Sequence, residues 1–415
     1  MKIRSITYFD NLQWPLNHVR IQQAGGFIKS ARSAFQDAGI EVQTTRLASG
    51  PFPLILEDRI NHEAVVFASA LEKLLIGAGF DYASIGPALP DFIESYQVIP
   101  EVLANTQKVF AAGIISSTQD GIAPDAIKRC AKVIKDNAAI SPDGFANLRF
   151  AALANVPAGS PFLPAAFHDG GVEPGFAIAT EAADLAVSAI DKTTSLENAR
   201  IELINSIEKV AGEIDRIART LAAKFNLKFA GIDFSLAPFP AVEQSIGTAV
   251  EKLGVPGFGN HGTLAAIAIL AEAVERAQYP RIGFNGVMLP VLEDTVLAGS
   301  AVAGNITVNE LLLYSAVCGT GLDTIPLPGS VTEDQLYAVL LDLAAMAQRL
   351  GKPLTARLMP IPGKQAAVAT EFDFEFFANS KIMDLKAKPL SGPLIEDKHF
   401  QIQSRGSGIS TKGLV

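Results

Sequence analysis

The chain has 415 residues, 49% of them apolar and 19% charged, which is enough core-forming material for one large α/β body or two ordinary domains. The net charge of −9 argues against a nucleic-acid partner, and two cysteines 188 positions apart do not make a disulfide framework. The sequence has neither an apolar run long enough to cross a membrane nor the apolar core of a signal peptide at its start. We therefore expect a cytoplasmic protein with no membrane partner.

Apolar, β-branched segments alternate with amphipathic ones along most of the chain. The predicted strands are, in chain order, KIRSITYF, VQTTRLA, YASIG, FAAGII, LRFAALANV, GFAIAT, KFAGIDFS, RIGFNGVML and LTARLMPIP. The predicted helices include 15–38, 62–78, one that begins at Pro124, 195–225, one opened by the capping box of Thr307 and Glu310, and 334–350. About nine or ten strands with intervening helices predict an α/β fold with a largely parallel sheet.

The same pattern predicts the domain organisation. No linker interrupts residues 1–385, which we expect to form a single large α/β body. Residues 386–415 contain the glycine- and serine-rich sequence QSRGSGISTKG and are expected to be a partly extended or mobile tail.

Ligands of parallel α/β sheets usually bind at the carboxyl ends of strands, so site residues are expected in the loops after the strands. The loop after LRFAALANV contains Ser160, His168 and Asp169. His168 beside Asp169 suits a general acid or base held near a carboxylate, with Ser160 and Asp169 near the substrate. The alternative is a turn in which Asp169 only caps the backbone.

Asp233 and Ser235 follow the strand KFAGIDFS and precede two prolines that stiffen the loop. A carboxylate at a strand end is a common position for a base, and Ser235 beside it would contact the substrate. The alternative is a strand terminus closed by an Asx-type turn.

The sequence GVPGFGNHGTLAAIAIL leads from a glycine-rich loop directly into an apolar helix. Its backbone N–H groups and the helix dipole suit an anion such as phosphate or carboxylate. Asn260, His261, Gly262 and Thr263 are the candidate binding residues. The alternative is an ordinary helix N-cap made by Thr263 or Asn260.

The stretch SAVCGTGLDTIPLPG places one of the two cysteines in a glycine-rich turn. Cys318 is the candidate nucleophile or proton carrier, and Gly319, Thr320 and Gly321 would let the backbone approach a ligand closely. Asp323 is a second candidate catalytic carboxylate. The alternative is a small cysteine packed behind a turn, a frequent fate of free cysteine.

Arg357 lies inside the apolar strand LTARLMPIP, where an unpaired guanidinium is costly to bury. It is expected to pair with Asp323 or Asp233, or with a carboxylate or phosphate of the substrate. The acidic pair Glu293 and Asp294 is one candidate for a divalent metal ion, although a solvated loop is expected for it. No local metal-binding motif is present, and metal binding stays open because distant carboxylates can assemble a site that no motif announces.

Six of these stretches occur together in the order of a known family: NLRFAALANVPAGSPFLPAAFHDGG, GIDFSLAPFP, GNHGTL, GFNGVMLPVLEDTVLA, CGTGLDTIPLPG and KPLTARLMPIPGK. Residues 1–385 resemble the bacterial and archaeal "PFL family", also called domain of unknown function 711. The resemblance implies a barrel-like body of about ten strands with surrounding helices, similar to glycyl radical enzymes.

In those enzymes a thiyl cysteine lies on a loop inside the barrel, and Cys318 matches it. Val317 stands where pyruvate formate-lyase has its second cysteine. The tail has Arg405, Gly406 and Gly408 but lacks the valine and the aromatic residue that flank a radical glycine. The resemblance therefore implies the fold without glycyl radical chemistry.

Two hypotheses about function follow. The first is an enzyme that acts on a small anionic metabolite, which is held by Arg357 and the loop at 259–263. Cys318 would be its nucleophile, with His168 or His261 as acid or base and Asp233 or Asp323 as the orienting carboxylate. The second is a non-catalytic binding or regulatory protein with the same pocket. The acidic surface also permits a homodimer.

Overall fold

A computed structural model of the chain describes residues 1–405, which form a ten-stranded sheet with helices packed against it. The strands are β1 (Lys2–Asp10), β2 (Val42–Ser49), β3 (Tyr82–Ala88), β4 (Val109–Ser117), β5 (Gly121–Ile122), β6 (Phe150–Ala154), β7 (Gly175–Glu181), β8 (Lys228–Asp233), β9 (Gly321–Pro328) and β10 (Leu354–Ile361). Apolar and β-branched residues dominate most of them, as buried strands require.

The helices connect these strands and cover the sheet. They are α1 (His18–Asp37), α2 (Phe52–Leu56), α3 (Ile60–Ala78), α4 (Glu94–Gln97), α5 (Ile99–Ala104), α6 (Pro124–Ala138), α7 (Ala183–Asp191), α8 (Leu196–Phe225), α9 (Ile246–Lys252), α10 (Thr263–Arg276), α11 (Thr295–Ala303), α12 (Val308–Tyr314) and α13 (Glu333–Leu350).

The strand order is β8-β7-β1-β2-β3-β4-β6-β10-β9, with the short β5 paired to β4. Strands β1, β2, β3, β4 and β6 are mutually parallel neighbours. Strand β7 is antiparallel to β1, and β8 pairs in parallel with β7. Strand β10 is antiparallel to β6, and β9 pairs in parallel with β10. The predicted α/β class with a largely parallel sheet is confirmed.

The two faces of the sheet have different cores, because side chains alternate along a strand. The face covered by α1 is called the outer face, and the opposite face is called the inner face. On the outer face, Tyr8 of β1 packs on Phe27 of α1, with 5.7 Å between the ring centroids. On the inner face, Phe9 of β1 packs with Leu163 of the segment 155–171. That segment follows β6 and covers much of the inner face of the sheet.

Residues 281–290 lie between the two strands at the ends of the sheet order. Leu236, just after β8, forms a bridge with Val287, and Pro290 forms one with Asp323 of β9. The sequence RIGFNGVML was predicted as a strand, but here it makes only isolated bridges. Gly283 and Asn285 adopt positive φ angles of 81° and 51°, which interrupt regular strand geometry.

Helix boundaries agree with the local signals. The long predicted helix is α8, with Ser195 as its N-cap accepting the N–H of Asn198 at 3.2 Å. The predicted capping box of Thr307 and Glu310 opens α12. These elements form where sequence predicts because caps and helical periodicity are local properties.

The polypeptide after β10 has no long regular element. Its first part packs into the protein, with Phe372, Phe377 and Ile382 buried, and residues 391–400 lie exposed on the surface. Phe400 bridges Ile122 of β5, and the N–H of Arg405 donates to the carbonyl of Arg349 at 3.0 Å. Gly406 and Gly408, which the family resemblance singled out, lie outside the described residues. Within residues 1–405 no helix is both long enough and apolar enough to cross a membrane.

Candidate functional site

A cavity of about 170 Å³ opens on the inner face of the sheet. Seven strands contribute to its wall, and the contributing residues include Arg4, Arg46, Tyr82, Phe110, Ala151, Asp323 and Arg357. Over β1 to β4 the cavity lies at the N-terminal halves of the strands, not at the carboxyl ends where ligands of parallel sheets usually bind. The segment 155–171 takes up the remaining inner face, where Thr7 donates to the carbonyl of Pro161 at 2.8 Å.

A chain of alternating charges crosses the cavity wall. Glu293 lies at its centre, with one carboxylate oxygen 2.5 Å from Arg4 and the other 2.8 Å from Arg357. Arg4 also contacts Glu181 at 2.6 Å, and Arg357 contacts Asp323 at 2.6 Å. All five side chains are at least 87% buried, so each charge needs these partners to offset its desolvation. The pairing expected between Arg357 and Asp323 is confirmed.

Arg46 differs from Arg4 and Arg357 because no carboxylate contacts its guanidinium among the described residues. It is 8% exposed, and its one hydrogen bond within residues 1–405 runs from Nε to the hydroxyl of Thr44 at 3.1 Å. Burial, followed by the positive charge of Arg4, lowers the pKa of Arg46 to about 9. A guanidinium in this state gains from any anion that enters the cavity.

Arg149 lies on the same wall and has only neutral partners. It donates to the carbonyls of Leu103 and Thr106 at 2.7 and 2.8 Å. Burial lowers the pKa of Arg149 to about 10. Its positive charge is therefore available to the cavity along with that of Arg46.

Thr320 also lines the cavity. Its side chain is buried, and its hydroxyl has no hydrogen-bond partner among residues 1–405. A buried hydroxyl without a partner is costly, because it has lost its bonds to water. The hydroxyl oxygen is itself fully buried, so a ligand in the cavity would reach it only after a rearrangement of the wall.

Asp323 is the cavity carboxylate with the most perturbed titration. Burial raises the pKa of Asp323 and Glu293 adds to that effect, against the opposing charge of Arg357. One guanidinium, that of Arg357, is shared between these two carboxylates. Asp323 therefore takes up a proton more readily than an exposed aspartate does.

Of the residues predicted from the sequence to form the site, Thr320, Asp323 and Arg357 line the cavity. Gly319 and Gly321 flank Thr320 but do not line it themselves. Glu293 lines it too, and Asp294 is fully buried beside it, so the solvated loop expected for this pair was wrong. Asp294 instead caps α11, accepting from the N–H groups of Val296 and Leu297.

Cys318 does not line the cavity. It is 2% exposed within the hydrophobic core, and its Sγ accepts the N–H of Gly321 at 3.4 Å. Lys352 donates through Nζ to the carbonyls of Cys318 and Ser315 at the end of α12. The catalytic role of Cys318 stays a prediction.

His168 and Asp169 lie at the other end of the segment 155–171. Nδ1 of His168 accepts the N–H of Gly170 at 3.0 Å, which leaves Nε2 to donate to the carbonyl of Glu173 at 3.2 Å. Asp169 is exposed and accepts the N–H of Gly171 at 2.8 Å. Ser160 is buried, with no hydrogen-bond partner for its hydroxyl within the described chain. None of the three reaches the cavity.

Asp233 organises the turn that carries Phe284 to the cavity. Its carboxylate accepts N–H bonds from Phe284 at 2.7 Å and Asn285 at 2.9 Å, and the hydroxyl of Ser235 at 2.6 Å. A Cβ atom at Gly283 would meet this carboxylate at 2.2 Å. Burial raises the pKa of Asp233 to about 6 despite these hydrogen bonds. The backbone donors lie about fifty positions away in the chain, so these contacts are not the local Asx-type turn given as the alternative. The catalytic role of Asp233 stays a prediction.

The loop at 259–263 opens α10 on the helical layer, away from the cavity. Asn260, His261 and Gly262 are exposed, and Asn260 donates to the carbonyl of Gly257 at 2.8 Å. The hydroxyl of Thr263 accepts the N–H of Gly259 at 3.0 Å. The anion-binding role of these residues stays a prediction, and the structure does not bring them together with Arg357.

Sequence reasoning missed Arg4, Arg46 and Arg149 as site residues. Arg4 and Arg46 stand inside the predicted strands KIRSITYF and VQTTRLA, as Arg357 stands inside LTARLMPIP. A charged residue within an apolar strand is the sequence signal for such a site residue. In the sequence analysis this signal identified Arg357, although Arg4 and Arg46 carry it as well. For metals, no group of three or more His, Cys, Asp or Glu side chains suitable for an ion occurs within residues 1–405.

Comparison with known proteins gives the family. The family model described as "Uncharacterised ACR (DUF711)" matches residues 1–378. The chain belongs to the DUF711 family. The family match covers the cavity and every strand of the sheet, so the family resemblance predicted from the sequence motifs is confirmed. The likeness to pyruvate formate-lyase stays a prediction.

Relatives of this DUF711 chain are called "UPF0210 protein". One from Acetivibrio thermocellus is 31% identical over 370 residues, covering 84% of this chain and 80% of the relative. One from Desulforamulus reducens is 30% identical, covering 84% and 81%, and one from Pyrobaculum arsenaticum is 30% identical, covering 84% and 80%. These names state no activity, so the function is argued from the cavity.

Proposed function

We propose that this protein binds a small organic anion in the cavity on the inner face of the sheet, with Arg46 as the anchor. The observation that carries the proposal is a guanidinium that is more than nine-tenths buried, faces the cavity and has no carboxylate partner among the described residues. Burying such a charge is unfavourable unless a counter-ion arrives. Carboxylates and phosphates match the fork of donors on a guanidinium.

Other groups of the wall support binding in the same place. Arg149 adds a second positive charge that no carboxylate of the described residues contacts. The pairs of Glu293 with Arg4 and Arg357 hold the rest of the wall rigid. A ligand anion would therefore meet donors that are already in position, which reduces the entropy cost of binding.

The test is calorimetric titration with acetate, benzoate and phosphate. We expect at least one of them to bind, and we expect Arg46→Gln to weaken that binding about 10- to 100-fold, as the loss of charged hydrogen bonds predicts. Arg216→Gln is the matched control, because Arg216 is exposed on α8. The proposal fails if none of the three anions binds, or if Arg46→Gln and Arg216→Gln bind equally well.

A second candidate function is acid–base catalysis on the bound anion by Asp323. The observation that favours it is the raised pKa of this cavity carboxyl. The test follows exchange of the α-hydrogens of propionate and phenylacetate for deuterium by NMR in heavy water. Exchange that Asp323→Asn abolishes supports an enzyme, whereas binding without exchange supports the non-catalytic alternative.

We infer in addition that the sheet closes into a barrel around the cavity. Residues on seven strands line one cavity, and the segment 281–290 bridges both β8 and β9. The N–H of Gly319 donates to the carbonyl of Val287 at 2.7 Å, and the N–H of Leu236 donates to that of Gly286 at 2.8 Å. A crystal structure in which the segment 281–290 leaves either strand would contradict closure.

A further inference from the structure

The cavity has an aromatic wall opposite in character to its charged one. Six phenylalanines line it: Phe110, Phe145, Phe162, Phe284, Phe374 and Phe376. All but Phe110 are only partly buried, so ring surface remains open to the cavity. We propose that the bound anion is a monocarboxylate that carries an aromatic ring, an inference that rests on the proposed anion site at Arg46.

The aromatic wall is built by a dedicated segment of the chain. Phe374 is 5.2 Å from Phe376 and 5.2 Å from Phe145, measured between ring centroids. Asn379 fixes this segment, because its side chain accepts the N–H of Phe372 at 2.8 Å and donates to the carbonyl of Phe372 at 3.1 Å. Ring pairs at such distances contribute stability beyond the area that they bury, so a ligand ring in the cavity would gain from the same contact.

Cationic and aromatic groups meet at one point of the cavity. The guanidinium of Arg4 lies 5.5 Å from the ring centroid of Phe376. This contact joins the arginine wall to the aromatic wall, so one small molecule would reach both. A carboxylate attached directly to a ring, or through one carbon, has the matching arrangement of charge and apolar surface.

The charged side chains of the wall favour a ligand that carries a single negative charge. The four arginines of the wall are Arg4, Arg46, Arg149 and Arg357. Arg4 and Arg357 are paired with Glu181, Glu293 and Asp323, and the negative charge of Glu72 acts on Arg149, which also donates to backbone carbonyls. Arg46 has neither a carboxylate contact nor a backbone acceptor among the described residues. A monoanion balances this one charge, whereas a second negative charge would have to be desolvated without compensation.

The size of the cavity fits one ring. An engineered apolar cavity of about 150 Å³ in another protein binds benzene. The present cavity of about 170 Å³ has room for a ring of that size with a carboxylate. A larger polyanionic cofactor would not be enclosed by it.

The experiment is a competition series by calorimetry on the full chain. The probes are benzoate, phenylacetate, cyclohexanecarboxylate, acetate, benzamide, terephthalate and phosphate. We expect benzoate or phenylacetate to bind best, about 2- to 10-fold more tightly than the saturated ring, which has similar size but no π face. Benzamide, which has the ring without the charge, is expected to lose at least about 10-fold.

Substitutions in the aromatic wall distinguish its contribution to ligand affinity from that of the arginines. Phe376→Leu is expected to remove the preference for benzoate over cyclohexanecarboxylate and to weaken benzoate binding more than acetate binding. Phe374→Leu provides a second, independent variant should Phe376→Leu fail to fold. Phe400→Leu is the control, because Phe400 lies outside the cavity and is 39% exposed.

The outcomes distinguish this inference from the proposed function. Tighter binding of phosphate, acetate or the saturated ring, with loss on Arg46→Gln, overturns the aromatic class and leaves the anion site intact. Tighter binding of terephthalate than of benzoate overturns the single charge. If no anion binds, the anion site itself fails, and the aromatic inference fails with it.

Discussion

Gly286 and Gly319 touch through their Cα atoms. A Cβ atom added to Gly286 would lie 2.7 Å from the Cα of Gly319, and one added to Gly319 would lie 2.9 Å from the Cα of Gly286. Neither glycine has a φ angle in the left-handed region, so the close approach alone requires them. The contact holds the segment 281–290 against the turn that presents Thr320 to the cavity.

We therefore expect Gly286→Ala to lower the free energy of unfolding by about 1–3 kcal/mol, as overpacking usually does. The measurement is urea denaturation. Gly212→Ala is the control, because Gly212 lies within α8 with no atom within 4 Å of an added Cβ, and alanine there should add about 0.5–1 kcal/mol. Equal stability of Gly286→Ala and the wild type would contradict the contact.

Arg46 is predicted to be destabilising in the absence of ligand. Replacing it with methionine, Arg46→Met, removes a buried charge that has no paired carboxylate and keeps much of the side-chain volume. We expect the free energy of unfolding of the ligand-free protein to rise by about 1 kcal/mol or more, while anion binding is lost.

Thermal and urea denaturation without added anions measure this effect. Arg216→Met on the exposed face of α8 should change stability by less than about 0.5 kcal/mol. A strong loss of stability in Arg46→Met alone would show that Arg46 stabilises the wall and is not held for a ligand.

The raised pKa of Asp233 predicts that part of the free energy of unfolding depends on pH. The folded pKa of about 6 exceeds the unfolded value of 3.8, so the native state binds the proton first as the pH falls. This contribution favours the folded state at acid pH and is lost as the pH rises from about 4 to 6. The shift corresponds to about 3 kcal/mol.

Asp233→Asn should remove that component. Between about pH 7 and pH 4 the wild type is expected to gain about 2 kcal/mol relative to the variant, most of the full shift, measured by urea denaturation at both values. Asp169→Asn, at an exposed carboxylate, should keep the wild-type dependence. Parallel pH profiles of the wild type and Asp233→Asn would refute the assignment.

Both cysteines are predicted to be unreactive in the native protein. Cys318 is 2% exposed and Cys130 is fully buried, and burial raises the pKa of the Cys130 thiol. Iodoacetamide should label neither until denaturant is added, as read by peptide mass spectrometry. Rapid native labelling of Cys318 with Cys130 protected would contradict this expectation and support the catalytic role predicted for Cys318 from the sequence.

The sequence by itself determined the local structure and the family. The N-cap at Ser195, the capping box of Thr307 and Glu310, and the alternation of strands and helices are set by residues close in the chain. Arg357 was also predictable as a paired residue, because a guanidinium without a partner is costly to bury in an apolar strand. Its partner Asp323 was one of two carboxylates that the sequence offered.

Only the tertiary structure decided which charged residues meet. Glu293 contacts Arg4, which is 289 positions away in the chain, and Arg46 ends beside them without a carboxylate. Strand order brings these residues together, and neither periodicity nor spacing encodes strand order. The same reason separates the 259–263 loop from Arg357, since loops that follow different elements share a pocket only when the sheet places them at one end.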